Sequence, residues 1–392
     1  MIKSISIRNY KSVSELDIEL GRVNVFIGAN GCGKSNILEA IALASAASTR
    51  KLDNEFLGSR GIRVPEHPRT MRSAFVEKAM DENIVVTISG ESSESPSAKS
   101  EKSQVTLEFS LSNDNISPYS KWSDIGKISI GKMSDVGKSI LKLMSDNATP
   151  IDLEEMTSTI RAIESYQAAA WGLADFIIYS PEHSALRTFD IEGQIQPLGV
   201  RGEGLFRLLT VMASQIDGTE LSAINGEMRL LDWFDSFDIP ENPLFTERNL
   251  LIHDRYLQSA LESFTQRVAN EGFLYLLFYF TLLISSETPK FFAVDNVDVS
   301  LNPRLCQELI RRINKLAVER DKQMILTTHS PSVLDGIDLR DDEQRLFVVF
   351  RNSEGHTRCR RIEHKEPVPD QEPVRLSEAF LRGYLGGLPK GF

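Results

Sequence analysis

Cysteine is scarce in this sequence. The 392 residues include only three cysteines, Cys32, Cys306 and Cys359, which lie far apart and form no C-x-x-C pair. Cys32 lies inside a glycine-rich loop, where a disulfide is not expected. We therefore predict free thiols and a protein of the reducing cytoplasm.

A long hydrophobic run is also missing. The most apolar stretch, Phe273–Ile284, is shorter than the roughly 20 residues that cross a bilayer, so it predicts a core helix rather than a membrane span. The first residues contain no apolar segment of the kind that a signal peptide carries, so we expect none. Both observations predict a cytoplasmic protein that does not enter a membrane.

An excess of positive charge is the third absence. The formal net charge is −11 at pH 7, so the overall charge gives no support to nucleic-acid binding, although a local basic patch would not be visible in this balance. The apolar fraction of 41% and the charged fraction of 25% are typical of globular proteins. The length suits one large domain or two.

The strongest motif is the stretch Gly28–Ser35, which fits the pattern G-x-x-x-x-G-K-[ST] at every fixed position. The apolar run Val23–Ile27 before it suits a buried parallel strand, and apolar residues recur at helical spacing after it. A loop between such a strand and helix directs backbone N–H groups and the positive end of the helix dipole at phosphates. An ordinary glycine-rich turn, the alternative, has no need of the Lys34–Ser35 pair. The stretch therefore predicts binding of a nucleoside triphosphate.

The loop residues have distinct predicted roles. Lys34 would reach the β- and γ-phosphates, and the hydroxyl group of Ser35 would hold Mg²⁺. The glycines let the backbone close around the ligand without a Cβ clash. The nucleotide-binding residues that we predict in this loop are Asn30, Gly31, Cys32, Gly33, Lys34, Ser35 and Asn36.

Two later stretches end in polar residues that suit the same site. The apolar run Phe291–Val294 is followed by Asp295, the place of an Mg²⁺-holding aspartate in phosphate-loop NTPases. A strand that ends in a capping aspartate is the ordinary alternative, and the phosphate loop upstream favours the metal role. The apolar run Met324–Leu326 leads to His329, which we expect at the γ-phosphate edge of the site, although a lone histidine is usually structural.

These motifs together resemble the ABC-type ATPases of the SMC, RecF and OLD kind. The correspondences are Gly28–Ser35 with Walker A, Asp295 with the Walker B aspartate, Ser300–Pro303 with the D-loop, His329 with the switch histidine and Ile7–Ser12 with the first hairpin. The resemblance covers residues 1–45 and 265–350 well. It extends to bacterial proteins called AAA family ATPases, several of which serve in anti-phage defence, and it implies ATP and Mg²⁺ as ligands.

The resemblance also implies a signature sequence at a helix N-terminus shortly before Walker B, which contacts the ATP of the partner subunit. Arg201–Gly204 is glycine-rich but lies far upstream of Asp295. Asn270, Glu271 and Gly272 open the apolar helix, and one helix, a turn and a strand fill the interval to Asp295. We choose these three residues as a degenerate signature that binds nucleotide. For Asn270 the ordinary role of a helix N-cap stays open.

One residue departs from the family pattern. Family members follow the Walker B aspartate with a glutamate that activates or positions water, and here the residue is Asn296. An amide orients water but does not accept its proton, and loss of a positioned general base costs about 10²–10⁴-fold in rate. We therefore expect slow hydrolysis and a persistent ATP-bound dimer, with Lys34, Asn296 and His329 as catalytic residues.

The expected fold class is α/β. The alternation of strands and helices in the last third of the chain predicts a parallel sheet with crossover helices. The resemblance implies an ABC-type ATPase head with a β-rich first lobe, a parallel-sheet core and an inserted helical arm. We assign 1–392 to one discontinuous head, composed of an N-terminal lobe 1–200, a helical arm 201–268 and a C-terminal lobe 269–392.

The resemblance implies partners as well. Two heads would form a homodimer, or a higher oligomer, around ATP, and the dimer would gate a separate effector such as a nuclease or toxin. We expect no TOPRIM nuclease domain, because no paired acidic residues on strand ends that would bind nuclease metals follow His329, and the acidic cluster Asp341–Glu343 suits a solvated turn. Two alternatives stay open: ATP as a structural ligand of an oligomeric scaffold, which Asn296 favours, and an ATPase of DNA repair or recombination, which the acidic composition disfavours.

Overall fold

The computed structural model describes residues 1–73, 75, 77–91, 104–115, 117, 120–125, 127–130, 153–189, 196–215, 217–240, 248–258, 261, 263–366 and 374–388. The helix that the sequence predicts over 132–149 lies outside the described residues, as does most of the surface loop predicted over 90–103. In the part of the chain that is described, no helix is long and apolar enough to cross a membrane.

Strands and helices alternate through most of the described chain. The strands are β1 (Ile2–Tyr10), β2 (Val13–Glu19), β3 (Val23–Ile27), β4 (Ile84–Glu91), β5 (Gln104–Ser112), β6 (Ser123–Asp124), β7 (Lys127–Ile130), β8 (Ile178–Tyr179), β9 (Phe234–Asp238), β10 (Leu251–Asp254), β11 (Phe264–Thr265), β12 (Phe291–Val294), β13 (Gln323–Thr328), β14 (Gln344–Arg351) and β15 (Thr357–Ile362). The helices are α1 (Lys34–Ser48), α2 (Asn54–Ser59), α3 (Leu153–Ala170), α4 (His183–Thr188), α5 (Leu205–Ala213), α6 (Thr219–Met228), α7 (Glu271–Ile284), α8 (Pro303–Glu319) and α9 (Leu376–Leu381). Short 3₁₀ turns cover Pro68–Met71, Glu77–Met80 and Pro331–Gly336.

The chain forms two compact units that interleave along the sequence. The first comprises Met1–Gly21, Ala29–Phe176 and Val349–Arg361, and the second comprises Arg22–Gly28, Ile177–Val348 and Ile362–Phe392. The chain therefore changes unit inside the phosphate loop and again along β14. The limits of these units do not coincide with the boundaries expected at 200 and 268. The assignment of the chain to a single discontinuous head stays a prediction.

An antiparallel sheet dominates the first unit. Its strand order is β2-β1-β4-β5-β6, with β7 also paired to β5. Apolar residues alternate along β1 and meet apolar partners across the sheet, for example Ile5 opposite Ile18 on one side and Ile88 on the other. Helix α1 packs against β1, β4 and β5. The expected β-rich first lobe is confirmed.

A parallel sheet lies at the centre of the second unit. Its strands run β14-β3-β13-β12-β8, and every pairing among them is parallel. All residues of β3, β12 and β13 are buried, which explains their nearly continuous apolar runs. Helix α7 is buried along almost its whole length, and α8 buries one face through Leu309, Ile313 and Leu316. The α/β fold with a parallel-sheet core is confirmed.

The segment 201–268 is less helical than the sequence suggested. After α5 and α6, the strands β9, β10 and β11 form an antiparallel sheet, so the expectation that helix continues beyond α6 is wrong. Phe234 and Phe237 recur at a spacing that suits a helix, but a bulge at this point of β9 turns both side chains inward while Asp235 and Asp238 stay exposed. Whether the segment projects as an arm stays a prediction.

Candidate functional site

The phosphate loop has the conformation that its glycines allow. Gly31 and Gly33 have φ angles of +73° and +107°, in the left-handed region. A Cβ atom on Gly33 would lie 2.0 Å from Oγ1 of Thr357 and 2.9 Å from Oγ of Ser12, so no larger residue fits there. Helix α1 starts at Lys34 directly after this turn. The loop therefore ends in a helix N-terminus, the kind of position at which backbone N–H groups bind anions in proteins.

Lys34 places a positive charge within the loop. Its side chain is 5% exposed, and Nζ donates to the carbonyl oxygen of Ala29 at 3.3 Å. Asn30 and Gly31 are exposed at the tip, while Ser35 is half-buried. A glycine cradle, an ammonium group and a helix start fit a phosphate group, so the residues present suit the nucleotide that the motif predicts.

A network of side-chain hydrogen bonds supports the phosphate loop. Oγ1 of Thr357 donates to the carbonyl oxygen of Cys32 at 2.8 Å and lies 2.7 Å from Oγ of Ser12. The amide of Asn36 donates to Oγ of Ser12 at 2.6 Å, and Nε of Arg351 donates to the carbonyl oxygen of Gly31 at 2.8 Å. The sequence did not reveal these contacts, because Ser12 and Thr357 are 345 residues apart. Asn36 therefore supports the loop, and its predicted contact with nucleotide stays a prediction.

A buried carboxylate fixes the helix that follows the loop. Glu39 of α1 is 1% exposed and contacts Nζ of Lys11 and Nε of Arg63, each at 2.5 Å. The hydroxyl group of Tyr10 also donates to it at 3.1 Å, and burial together with Glu39 raises the pKa of Tyr10 well above its usual value. Removal of a partner would leave an uncompensated buried charge, which is strongly destabilising, so Glu39 stays paired with its two cationic partners. This cluster ties the first hairpin to α1, and the sequence analysis missed it.

Asp295 lies at the carboxyl end of β12, as predicted. Its backbone N–H donates to the carbonyl oxygen of Tyr179 at 2.8 Å, and the hydroxyl group of Thr327 donates to its Oδ1. The same hydroxyl oxygen accepts the backbone N–H of Asn296 at 2.9 Å. Asn296 has a φ angle of +59°, a left-handed conformation that asparagine adopts more readily than most residues. Thr327 therefore holds the carboxylate of Asp295 and the backbone of Asn296.

Asp298 is the next carboxylate along the chain after Asp295, and its hydrogen-bond partner differs from that of Asp295. Its Oδ1 accepts the hydroxyl group of Thr328 at 2.5 Å, and the same hydroxyl oxygen accepts the N–H of Ser330 at 2.9 Å. This carboxylate is thus engaged with the turn after β13. Asp298 is therefore a poor substitute for the missing glutamate at 296.

The parallel sheet brings three predicted residues to one edge. Strand β13 lies between β3 and β12, with Thr328 opposite Ile27 and Leu326 opposite Val294. Gly28, Asp295 and His329 each follow one of these three neighbouring strands. Carboxyl ends of parallel strands are where ligands bind in open α/β sheets. The exposed His329 and the half-buried Asp295 therefore share the edge from which the phosphate loop departs.

The predicted signature adjoins the D-loop of the same chain. Oδ1 of Asn270 accepts the N–H of Phe273 at 2.9 Å and caps α7, so the N-cap role left open for Asn270 is confirmed. Glu271 accepts a hydrogen bond from Oγ of Ser300 at 2.7 Å. The backbone oxygen of Ser300 lies 3.5 Å from the point where a Cβ on Gly272 would stand. The role of Asn270, Glu271 and Gly272 in nucleotide binding stays a prediction.

The other glycine cluster begins a different helix. Gly204, with a φ angle of +82°, directly precedes α5. Nε of Arg201 pairs with Oε1 of Glu182 at 3.3 Å. Arg201–Gly204 therefore directly precedes helix α5, and its assignment to the start of an inserted arm stays a prediction.

The described residues contain no group of three or more His, Cys, Asp and Glu side chains that could hold a metal. Magnesium in nucleotide sites takes most of its ligands from phosphates and water and one or two from protein. Ser35 and Asp295 are the right residue types for such a metal, and their assignment stays a prediction.

Two protein families match the chain. Residues 1–212 match the family described as "AAA ATPase domain", and residues 203–335 match "AAA domain, putative AbiEii toxin, Type IV TA system".

Curated relatives match only short stretches. An uncharacterized protein of Methanocaldococcus jannaschii, MJECL10, is 46% identical over 48 residues, which is 12% of this chain and 22% of that protein. The DNA replication and repair protein RecF of Phocaeicola vulgatus is 36% identical over 64 residues, 16% of this chain and 17% of RecF. The chain therefore matches about a fifth of the length of these relatives.

The fold has a counterpart among solved structures. The crystal structure of an SmcHead bound to the C-winged helix domain of ScpA matches with a TM-score of 0.55 at 14% identity, covering 92% of this chain and 98% of that one. At this identity the likeness concerns the fold, and it confirms the expected head architecture. Since the first family match spans more than half of the residues, the chain belongs to the AAA ATPase domain family, with the fold of an SMC-like ABC-type ATPase head.

Proposed function

We propose that the chain is an ATP-binding and slowly hydrolysing switch, in which two heads close around ATP and gate a separate effector in bacterial defence. The observation that carries the slow step is Asn296. It directly follows Asp295, and its backbone is fixed by the hydroxyl group of Thr327. A residue held there presents an amide where a general base would be needed.

Each residue of the candidate site has a defined role in this proposal. The backbone N–H groups of the loop and the ammonium group of Lys34 bind the phosphates of ATP, and Ser35 and Asp295 would hold Mg²⁺. When bound, the metal ion neutralises charge on the phosphates. The Asn296 amide orients the attacking water but cannot take its proton, and His329 stands at the same sheet edge as Asp295. The site thus has the groups that bind ATP, but Asn296 does not supply a general base that removes the proton from water.

The proposed dimer uses the predicted signature and the D-loop. Asn270, Glu271 and Gly272 stand next to Ser300, and Val299 beside it leaves 39% of its surface exposed. An exposed D-loop that adjoins the signature suits contact with a second head around ATP. The solved SmcHead is described with a ScpA domain bound, and residues 203–335 match a family described as a putative toxin of a Type IV TA system. Both descriptions support a separate protein partner.

The experiment compares two substitutions of Asn296 with the native protein and with a variant that gives the background. Asn296→Glu should raise steady-state phosphate release by about 10²-fold or more, because it restores a general base. Asn296→Gln is the matched control, since it has the same length as glutamate without the carboxylate, and it should not raise the rate. Lys34→Ala gives the background. Native turnover of about 10 s⁻¹, an ordinary enzyme rate, or no gain in Asn296→Glu, contradicts slow hydrolysis.

A scaffold role is the second candidate, and Asn296 favours it too. In that case ATP holds an oligomer together and its turnover is not used. Light scattering of Lys34→Ala with and without ATP tests whether the oligomer depends on the nucleotide. Activity in cells of a variant that binds ATP without turnover then separates a switch that must hydrolyse from a scaffold that need not.

A DNA-repair ATPase is the third candidate, favoured by the similarity to RecF. The net charge of −11 counts against extensive contact with phosphates. Binding of duplex DNA that weakens steeply with salt would support this candidate. Absence of binding at low salt would reject it.

A further inference from the structure

An open cavity of about 460 Å³ lies at the carboxyl end of helix α1, within the first unit. Its walls are the last turn of α1 with the residues that follow it, one face of α3, and Ala174. Helix α1 is 15 residues long, so the cavity lies about 20 Å along this helix from the phosphate loop. Proteins bind small molecules in cavities of about 300–1,000 Å³. The cavity is therefore large enough for a ligand and is distinct from the nucleotide site.

Two arginines line this cavity from different elements. Arg50 follows α1, and Arg161 lies on α3. Among the described residues, neither guanidinium group donates a hydrogen bond or pairs with a carboxylate. Glu164 of α3 is half-buried, and burial and the charge of Asp124 raise its pKa, while both guanidinium groups oppose this shift. The two positive charges therefore act on a common region without being neutralised by an ion pair.

The backbone fixes the position of Arg50. Its φ angle is +59°, in the left-handed region that glycine usually supplies at the end of a helix. Its N–H donates to the carbonyl oxygen of Ala47 at 2.9 Å, and the N–H of Lys51 donates to that of Ala46 at 3.0 Å. Side chains that hold a strained backbone conformation are concentrated at ligand sites. The helix cap thus keeps an arginine at the cavity wall in a conformation that glycine would adopt without strain.

We propose that this cavity binds a small phosphate monoester, with the phosphate group between Arg50 and Arg161 and the organic part against Ala162 and Ala174. A phosphate monoester carries nearly two negative charges and three acceptor oxygens that point in different directions, which suits guanidinium groups from two elements. A carboxylate has one charge and two oxygens in one plane, so one arginine satisfies it. The hydroxyl group of Ser165, one helical turn after Arg161, adds a donor on the same face of α3.

This site goes beyond the proposed function, since it does not require that the loop bind ATP. The experiment titrates the full-length protein with phenyl phosphate by calorimetry. Every sample carries Lys34→Ala, because the loop is itself expected to bind phosphate. We expect one site per chain, and Arg50→Ala and Arg161→Ala should each weaken it by about tenfold or more, because each removes hydrogen bonds to a charged group.

Arg69→Ala is the matched control for these two variants. Arg69 belongs to the same unit, its side chain is 50% exposed, and it pairs with Asp81 at 3.4 Å. Its loss changes the net charge by the same amount, so the affinity for phenyl phosphate should stay unchanged. Equal weakening in all three variants would show a general effect of charge and overturns the proposal.

Ala162→Phe tests the cavity without changing a charge. Ala162 is exposed on α3, so the larger side chain fits the folded protein while it fills the cavity, and binding should be lost. Thermal unfolding of each variant shows that it is folded. Binding that persists in Ala162→Phe overturns the placement of the ligand.

Two further probes test the ligand class. Inorganic phosphate lacks the organic part and benzoate replaces the phosphate group by a carboxylate, and each should bind at least about tenfold more weakly than phenyl phosphate. Equal affinity for inorganic phosphate would assign a simple anion site, and equal affinity for benzoate would remove the preference for phosphate. Either result overturns the proposal, as does a Kd for phenyl phosphate above about 1 mM.

Discussion

Thr327 donates its hydroxyl hydrogen bond to Asp295 while its oxygen accepts the backbone N–H of Asn296. Thr327 is fully buried, so Thr327→Val keeps the shape of the side chain and removes both interactions. A buried group that loses its partner costs about 1–3 kcal/mol. We expect the free energy of unfolding to fall by about this amount and ATP turnover to fall with it, measured by urea unfolding and phosphate release.

Thr327→Ser is the control for that prediction, because it keeps the hydroxyl group and loses only a methyl group. It should retain most of the turnover. Equal turnover in the valine and serine variants would show that the hydroxyl group does not position Asp295 and Asn296.

Gly31 and Gly33 provide a matched pair within one loop. Both have left-handed φ angles, so alanine at either position costs about 1–2 kcal/mol in backbone strain. Only at Gly33 would the new Cβ atom also collide with Thr357, at 2.0 Å, whereas nothing lies within 4 Å at Gly31. Gly33→Ala should therefore be less stable than Gly31→Ala by about 1–3 kcal/mol. Urea unfolding of both variants tests the difference, and equal losses would contradict the steric explanation.

Lys322 predicts a pH dependence of stability. The side chain is buried and Nζ donates to the carbonyl oxygens of Ser285 and Thr288 at 2.9 and 2.8 Å. Burial lowers the pKa of Lys322 to about 8 from its ordinary value of 10.5. Between these values the unfolded chain binds the proton and the folded chain does not, so stability rises with pH.

Relative to Lys322→Met, the native protein should gain about 2 kcal/mol in unfolding free energy between about pH 7.5 and 9.5. Lys315→Met is the control, because the Lys315 side chain is 64% exposed and should show no such change. Chemical unfolding at the two pH values measures both. A native protein that loses stability relative to Lys322→Met over this interval contradicts the assigned direction.

Asn270 has a confirmed cap and a predicted contact with nucleotide, and two substitutions separate them. Asn270→Asp keeps the capping oxygen and should keep stability, whereas Asn270→Ala should lose about 1 kcal/mol. Asp53→Ala removes the equivalent cap of α2, which accepts the N–H of Phe56 at 2.9 Å, and should cost a similar amount.

The dimer is then measured with ATP by light scattering. If Asn270 contributes to the signature, Asn270→Ala should weaken ATP-dependent association while Asp53→Ala does not. Equal association in both variants would show that Asn270 acts as a helix cap and does not contribute to the dimer.

The sequence predicted best where a pattern is local and strong. The bounds of the helix Pro303–Glu319 can be predicted from the sequence, because Asn302 and Pro303 mark its start and its apolar face is regular. The phosphate loop and the position of Asp295 were equally readable. In each case a few adjacent residues carry the whole signal.

What the sequence did not reveal depends on contacts between distant residues. The bulge that turns Phe234 and Phe237 to one side of β9 depends on pairing with β10, and local spacing alone suggested a helix. The charge of Glu39 inside α1 is explained only by Lys11 and Arg63, which come from other elements. The support of the phosphate loop by Thr357 likewise depends on a contact between residues that are distant in the sequence.

The position of β3 within the parallel sheet has a consequence for biosynthesis. The side chain of Asn24 in β3 donates to the carbonyl oxygen of Met324, 300 residues later, and both neighbours of β3, β13 and β14, come from the last quarter of the described chain. At about 5–20 residues per second, a ribosome needs roughly 15–60 s to supply them. The apolar strand that leads into the phosphate loop therefore waits without its partners during most of translation. A topology of such high contact order folds slowly, so we expect the nascent chain to need a chaperone and to gain affinity for ATP only after synthesis is nearly complete.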